Sequence, residues 1–248
     1  MKIISPGSHP TADEFWEKHL GGKPNGARTL GSAIAKYLPP LLEPYFDLMV
    51  CYSASFDFEI PEGMRRIAVF GHQNHPHTDG FKVWQKVNLK LKDYKTIYFY
   101  NDPTMVMLIK QFAPCYLLPR FIDTELYPNL SRKKTIDTLW LGNVWEAMRG
   151  EFDAYKRSNP KPYWISKGVL GLGDKKIKEL NRAETLKKLA SAKKVWAIGV
   201  SQLEAKYYGC EVVSYKNEVI PYYDQHTIIP YLEKLLKKIS AESDRQRG

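Results

Sequence analysis

Cysteine is scarce in this chain, with three residues among 248: Cys51, Cys115 and Cys210. They are odd in number, far apart and without CxxC spacing, which argues against both a disulfide framework and a structural zinc site. Long apolar runs are missing as well. The longest, such as 97–100 and 105–109, fall far short of the roughly 20 residues a bilayer crossing takes, so no membrane insertion is expected. Neither a GxGxxG nor a Walker pattern occurs, which counts against dinucleotide cofactors and P-loop ATPases. Low-complexity tracts are absent, excluding a collagen-like or largely disordered chain. The N-terminus, Met1-Lys2-Ile3-Ile4-Ser5-Pro6-Gly7, offers one positive charge but only two apolar residues before Pro and Gly. It does not read as a secretory signal, and the expected location is the cytoplasm.

What is present describes one large or two small globular domains: 44% hydrophobic and 26% charged residues, enough for a sizeable core. Lys and Arg number 37 against 27 Asp and Glu, a net charge of +10. Most of the excess lies in 131–194, where sixteen basic residues face seven acidic ones. Such a field favours polyanions, whether nucleic acid, an anionic membrane surface or phosphorylated substrates. A lysine-rich surface that serves solubility alone is the plainer alternative.

Short apolar strands alternate with helical patterns along the chain. Strands are expected at 47–52, 66–71, 96–100, 116–118, 138–141, 163–166, 195–200 and 211–215, and helices at 11–19, 30–37, 82–91, 104–112, 145–155, 182–189, 201–208 and 227–239. Pro39-Pro40 is expected to end the second of these helices. This alternation predicts an α/β fold of right-handed βαβ units with mostly parallel sheets. A break near 129–134 divides it into two Rossmann-like halves facing across a cleft, an N-terminal domain over 1–128 and a C-terminal domain over 129–248. The C-terminal helix is expected to pack back on the first.

In open α/β sheets the ligand sits at the carboxyl ends of the strands, which selects the candidate residues. His72, Gln73, Asn74, His75, His77 and Asp79 share one such stretch, and Asn101 with Asp102 form another. Imidazoles at this spacing can converge on a metal, but loop His and Asn residues commonly satisfy turn backbone instead, and no metal ligand is assigned. Asp102 follows a strand and precedes Pro103 and a helix. It is equally placed to act as a general base or to cap that helix.

In the second half, Gly142-Asn143 follows a strand and Arg149 lies on the helix beyond, so amides and a guanidinium can meet a diphosphate. Ser201-Gln202-Leu203-Glu204-Ala205-Lys206-Tyr207-Tyr208-Gly209 lies between two strands. A carboxylate in the first turn of such a helix, here Glu204, can accept ribose hydroxyls or simply favour the helix dipole.

These segments together resemble the two-Rossmann-domain (GT-B) nucleotide-sugar glycosyltransferases. Leu118-Pro119-Arg120-Phe121-Ile122-Asp123-Thr124-Glu125-Leu126-Tyr127-Pro128 is similar to the interdomain signature of that superfamily, 201–209 to its donor segment and 142–150 to its diphosphate loop. Within it, Arg66-Ile67-Ala68-Val69, the stretch 94–102 and the stretch 133–142 are similar, in order, to the T-even bacteriophage DNA β-glucosyltransferase type. The resemblance covers about residues 65 to 215. Two departures stand out: the arginine-rich diphosphate loop is reduced to Arg149, and Trp196 occupies the place of a frequent second Glu.

The resemblance implies an inverting transferase, in the host cytoplasm if viral, that moves a sugar from a nucleoside diphosphate sugar, foremost a UDP-sugar, to a hydroxyl acceptor. Asp102 is implied as catalytic base; by their place in the loops after strands, His72 and Asp79 are expected as substitutes, and Asn74, His75 and Asn101 as acceptor contacts. Gly142, Asn143, Arg149, Ser201 and Glu204 are implied on the donor. The acceptor favoured is a 5-hydroxymethylated pyrimidine in double-stranded DNA, since a basic surface meets phosphates and the target base must be flipped. Trp145, Tyr163 and Trp164 could stack on bases or lie buried. A lipid-linked or surface glycan as acceptor, and a non-catalytic nucleic-acid-binding protein of this fold, are the alternatives. Dependence on a divalent ion is left open.

Overall fold

A computed structural model describes residues 1–4, 26–52, 58–71, 77–142, 149–165, 182–197, 199–213 and 221–245. Its strands are β1 (Lys2–Ile4), β2 (Leu48–Tyr52), β3 (Arg66–Gly71), β4 (Lys95–Tyr100), β5 (Cys115–Leu117), β6 (Ile136–Leu141), β7 (Tyr163–Ile165), β8 (Ala192–Ala197) and β9 (Glu211–Val213). Its helices are α1 (Gly26–Leu42), α2 (His77–Lys90), α3 (Pro103–Ile109), α4 (Arg149–Ser158), α5 (Arg182–Ala190), α6 (Val200–Tyr207) and α7 (Gln225–Arg245). The expected helix at 11–19, together with His72, Asn74, His75, Asn143 and Trp145, lies outside the described residues.

The fold is α/β with two wholly parallel sheets, one ordered β1-β2-β3-β4-β5 and the other β7-β6-β8-β9. The chain divides into two compact units. One comprises Met1–Gly22, Gly31–Pro119 and Gln225–Gly248, the other Lys23–Leu30 and Arg120–Asp224.

In the first unit, Ile67-Ala68-Val69-Phe70 is a continuous buried run, the pattern of a parallel strand covered on both faces. Alternate residues sort to the two sides. Leu48, Val50, Ile67, Val69, Tyr98 and Tyr100 pack with Trp84 and Val87 of α2, with Leu91 just beyond it, and with Met105, Val106 and Ile109 of α3. The Tyr98 hydroxyl donates to Asn88 Oδ1 at 2.8 Å, so its burial leaves no polar atom unmet. On the opposite side Phe99 stacks on Phe70 at 4.8 Å and meets Phe46 and Tyr116 edge-on or tilted.

That side also receives α7. Tyr231 donates to the Leu117 carbonyl at 3.1 Å and Tyr116 to Glu242 at 3.0 Å. Ile228, Leu232, Leu236 and Ile239 form the buried stripe of α7, spaced for one helical face.

The expectation that Pro39-Pro40 ends α1 is corrected: both prolines lie inside Gly26–Leu42. They remove donors only near the end of the helix, while the Pro39 carbonyl still accepts from Glu43 N at 3.0 Å. Burial of Ala33, Ile34, Leu38 and Leu42 outweighs the roughly 3 kcal/mol that an interior proline costs.

The second unit is built around Trp140. Its indole is fully buried against Phe152 and Tyr155 of α4, with Trp164 and Trp196 beside them. Trp196 stacks on Trp140 across the β6–β8 register at 6.2 Å. Tyr163 and Trp164 are therefore partly buried in the sheet packing, with Lys188 Nζ over the Tyr163 ring at 5.4 Å. Lys134 Nζ donates to the carbonyls of Ala190 at 3.1 Å and Tyr208 at 2.8 Å. One cation thereby satisfies the carbonyl ends of both α5 and α6, where the helix dipole favours positive charge.

Candidate functional site

The second sheet contains a reversal of direction. From β6 the chain moves out to β7, then crosses back past β6 to β8. In open parallel sheets such a reversal is the general ligand position, beside the loops that leave the strands on either side of it, here β6 and β8. Each of those loops carries a glycine in the left-handed region, Gly142 at φ 135° and Gly199 at φ 60°.

The backbone conformation at Gly199 calls for glycine, and Arg120 lies against it. Its φ disfavours any side chain, and a Cβ there would stand 2.9 Å from Nη1 of Arg120. The Arg120 guanidinium thus packs directly over the turn that opens α6. Gln202, buried, fixes the same turn from below: its side-chain amide donates to the Ala197 carbonyl at the end of β8, at 3.2 Å. Ser201 lies half-buried in the first turn of α6, and Arg149 is exposed at the start of α4.

Glu204 departs from its expected position. The helix begins at Val200, so Glu204 stands in the second turn rather than the first. Its side chain is 1% exposed, and Oε1 accepts from the Tyr127 hydroxyl at 2.9 Å. Tyr127 in turn packs on Tyr207 and Tyr208. Burial, followed by the neighbouring Asp224 charge, pushes the nearby Tyr222 hydroxyl up to about 12, so Tyr222 stays neutral through the physiological range.

In the first unit, β4 ends at Tyr100 and Asp102 caps α3. Its Oδ1 accepts from Thr104 N at 2.8 Å and Met105 N at 3.3 Å, with Pro103 at the first helical position. This is the capping geometry that the residue order allows, and it holds the carboxyl group at the carboxyl end of the sheet. Asn101 is partly buried beside it. Gly71 closes β3 opposite Tyr100 in the strand register, and the Tyr100 ring occupies the space a Gly71 Cβ would need. Asp79 belongs to α2. Among the described residues no group of three or more His, Cys, Asp or Glu is arranged to hold a metal ion.

Arg120, Gln202 and Tyr127 acquire roles here that local sequence pattern did not assign. The signal for Arg120 is a charge set between buried Leu118 and buried Phe121-Ile122, a setting in which long charged side chains are rarely found without a partner. Gln202 and Tyr127 act through contacts distant in sequence.

No family model and no curated protein matches the chain. Four chains of solved structures match it. One is an alpha-glucosyltransferase in complex with UDP and a 13-mer DNA containing a HMU base, with a TM-score of 0.39 and 10% identity over 84% of this chain and 86% of that one. A likeness at this level is one of chain trace and carries no residue correspondence.

Proposed function

We propose that the chain is a glycosyltransferase that moves a sugar from a nucleoside diphosphate sugar, foremost a UDP-sugar, to the hydroxyl of a 5-hydroxymethylated pyrimidine in double-stranded DNA. The observation that carries this reading is the β6–β8 reversal, with a positive-φ glycine after each strand, Gly142 and Gly199, and Arg120 packed against the turn at Gly199 that opens α6. A guanidinium beside helix N-terminal amides is a setting suited to a diphosphate. Its presence offsets the reduction of the arginine-rich loop to Arg149. The motif resemblance supplies the identity of the donor, and the basic surface supports a DNA acceptor.

In this mechanism the acceptor lies against the first unit. Asp102, held by its two helix amides, accepts the proton of the acceptor hydroxyl, and the oxygen attacks the anomeric carbon. The bond from that carbon to the diphosphate oxygen breaks, and its electron pair leaves with the nucleoside diphosphate. Arg120, Arg149 and the amides near Gly142 and Asn143 stabilise the departing charge. Glu204 holds the ribose by exchanging the Tyr127 hydroxyl for ribose hydroxyls. Asn101, Asn74 and His75 contact the acceptor, while His72 and Asp79 stand as substitute bases. Inversion at the anomeric carbon follows from the role of Asp102.

The test is a thermal-shift screen of nucleotide sugars followed by turnover of the stabilising donor. The expected result is stabilisation by a UDP-sugar, transfer with inverted configuration, and loss of transfer in Asp102→Asn with donor stabilisation intact. A retained configuration contradicts the role of Asp102, and absence of any donor stabilisation contradicts the assignment as a transferase.

A further inference from the structure

The large hydrophobics exposed among the described residues gather in one stretch: Leu89 is 69% exposed, Met107 71%, Phe112 65% and Leu117 37%. Three of them lie on α2, on α3 and in the turn that follows α3. Phe112 does not project alone. Its ring rests 5.9 Å from both Phe81 and Trp84, which stack on each other at 5.1 Å, so one aromatic face is offered outward on a rigid aromatic base.

The helix that carries Phe81 and Trp84 is lysine-rich. Lys82, Lys86 and Lys90 recur every four residues along exposed positions of α2, and Lys92, Lys95 and Lys110 are exposed nearby. Over 80–120 the chain carries seven basic residues and two acidic ones, Asp93 and Asp102. This excess lies outside the lysine-rich stretch 131–194.

We infer that this surface of α2 and α3 is a nucleic-acid contact: Lys82 and Lys86 take backbone phosphates and Phe112 stacks on an unpaired base. The identity of the polyanion rests on the DNA-acceptor reading above; the surface itself does not. An outward aromatic ring flanked by lysines combines the stacking platform and basic track that bind single strands. A membrane fits less well. An interfacial helix needs an apolar face to bury in lipid, and the apolar faces of both helices are already spent on the core, through Trp84 and Val87 in α2 and Met105, Val106 and Ile109 in α3. Phe112 follows Asp102 by ten residues and lies beyond the end of α3 at Ile109. The stacked base is therefore a neighbour of the reacting one rather than the reacting base itself, and it holds the opened strand in place.

The experiment is fluorescence anisotropy without donor, across a salt series, using labelled duplex DNA with and without one unpaired nucleotide. The proteins are the full-length chain, the double variant Lys82→Gln/Lys86→Gln and Phe112→Ser. All the changed side chains are exposed, and circular dichroism checks that each variant folds. Loss of the two lysines is expected to reduce the slope of log affinity against log salt by about 1.8 on both probes. Phe112→Ser is expected to weaken binding about 5- to 150-fold on the probe with the unpaired nucleotide and little on the fully paired one. Wild-type affinity and slope in both variants would overturn the inference. So would a chain that ignores DNA and floats with phosphatidylglycerol vesicles. Transfer to free 5-hydroxymethyl-2′-deoxycytidine, measured in parallel, separates the two proposals, because it requires the transferase and not this surface.

Discussion

The two sheets are both parallel, yet they solve the problem of covering two apolar faces differently. The first is wound in sequence, β1 to β5. Right-handed connections in a constant direction place their helices on one side, which is where α2 and α3 lie. The other side, with Phe70, Phe99 and Tyr116, receives α7 from the far end of the chain. The second sheet reverses direction at β6 and covers both faces with its own connecting helices. The lesson concerns the sites. A reversal is where topology alone favours a ligand crevice, and in the second unit that point is flanked by Gly142 and Gly199. The sequentially wound unit has no such reversal among its described strands, and its proposed base, Asp102, stands at the end of a single strand.

Breaking each unit at its own weak point sharpens that contrast. Asp102→Asn should give the largest effect: a loss of transfer of about 10²- to 10⁴-fold, with melting temperature nearly unchanged because Asn also caps helices well. Parallel kinetics and thermal unfolding read both quantities. A comparable loss of stability would instead make Asp102 a structural cap and nothing more.

The two glycines offer the next comparison. Gly199→Val forces a side chain into a positive φ and against Arg120, at about 1–3 kcal/mol of strain, and should abolish stabilisation by UDP while DNA affinity holds. Gly71→Ala meets only the Tyr100 ring, so it should cost about 1–3 kcal/mol in urea unfolding and leave the UDP response in place.

Tyr127→Phe strips the buried Glu204 of a donor at 2.9 Å. Stability should fall by about 1–2 kcal/mol, yet UDP-sugar binding should tighten, since ribose hydroxyls no longer compete with the tyrosine. Weakened donor binding, seen by calorimetry, would assign Glu204 to the structure rather than to the ribose.

The smallest effect belongs to the amino-terminal end of β2 and β3 in the first sheet. Hydrogen bonds from Arg66, at 2.7 and 3.1 Å, and from the amides of Arg65 and Arg66 lower the Asp47 carboxyl to about 2. Because the folded value lies below the ordinary one of 3.8, the contribution is present above about pH 4 and is lost as pH falls toward 2. The pair is partly exposed, which limits it to about 0.5–1 kcal/mol. Asp47→Asn should lose that amount at pH 7 and nothing at pH 2 when both are unfolded in urea.

What was legible in the sequence follows the range of the interactions. The strands β3 and β4 announced themselves by apolar runs, and Asp102 by its place before Pro103, because caps and strands are encoded within a few residues. The end of α1 was misjudged because the buried stripe of Ala33, Ile34, Leu38 and Leu42 overrides the local effect of two prolines. The same limit moved Glu204. Strand β8 was expected to run to residue 200, but it ends at Ala197 and Gly199 turns the chain, so α6 starts earlier and Glu204 rotates into the interior. Its partner Tyr127 stands 77 residues away, and Arg120 reaches Gly199 from a similar distance. No local pattern contains either contact.

The central claim is transfer of a sugar to a modified base. It is tested most directly by incubating the protein with a panel of nucleotide sugars and duplex DNA containing 5-hydroxymethylcytosine or 5-hydroxymethyluracil, then digesting the DNA to nucleosides for mass spectrometry. The account predicts a sugar-sized mass gain on the hydroxymethylated base, dependent on Asp102 and absent from unmodified DNA. An unchanged base across the whole donor panel, with no donor stabilising the protein, would contradict it.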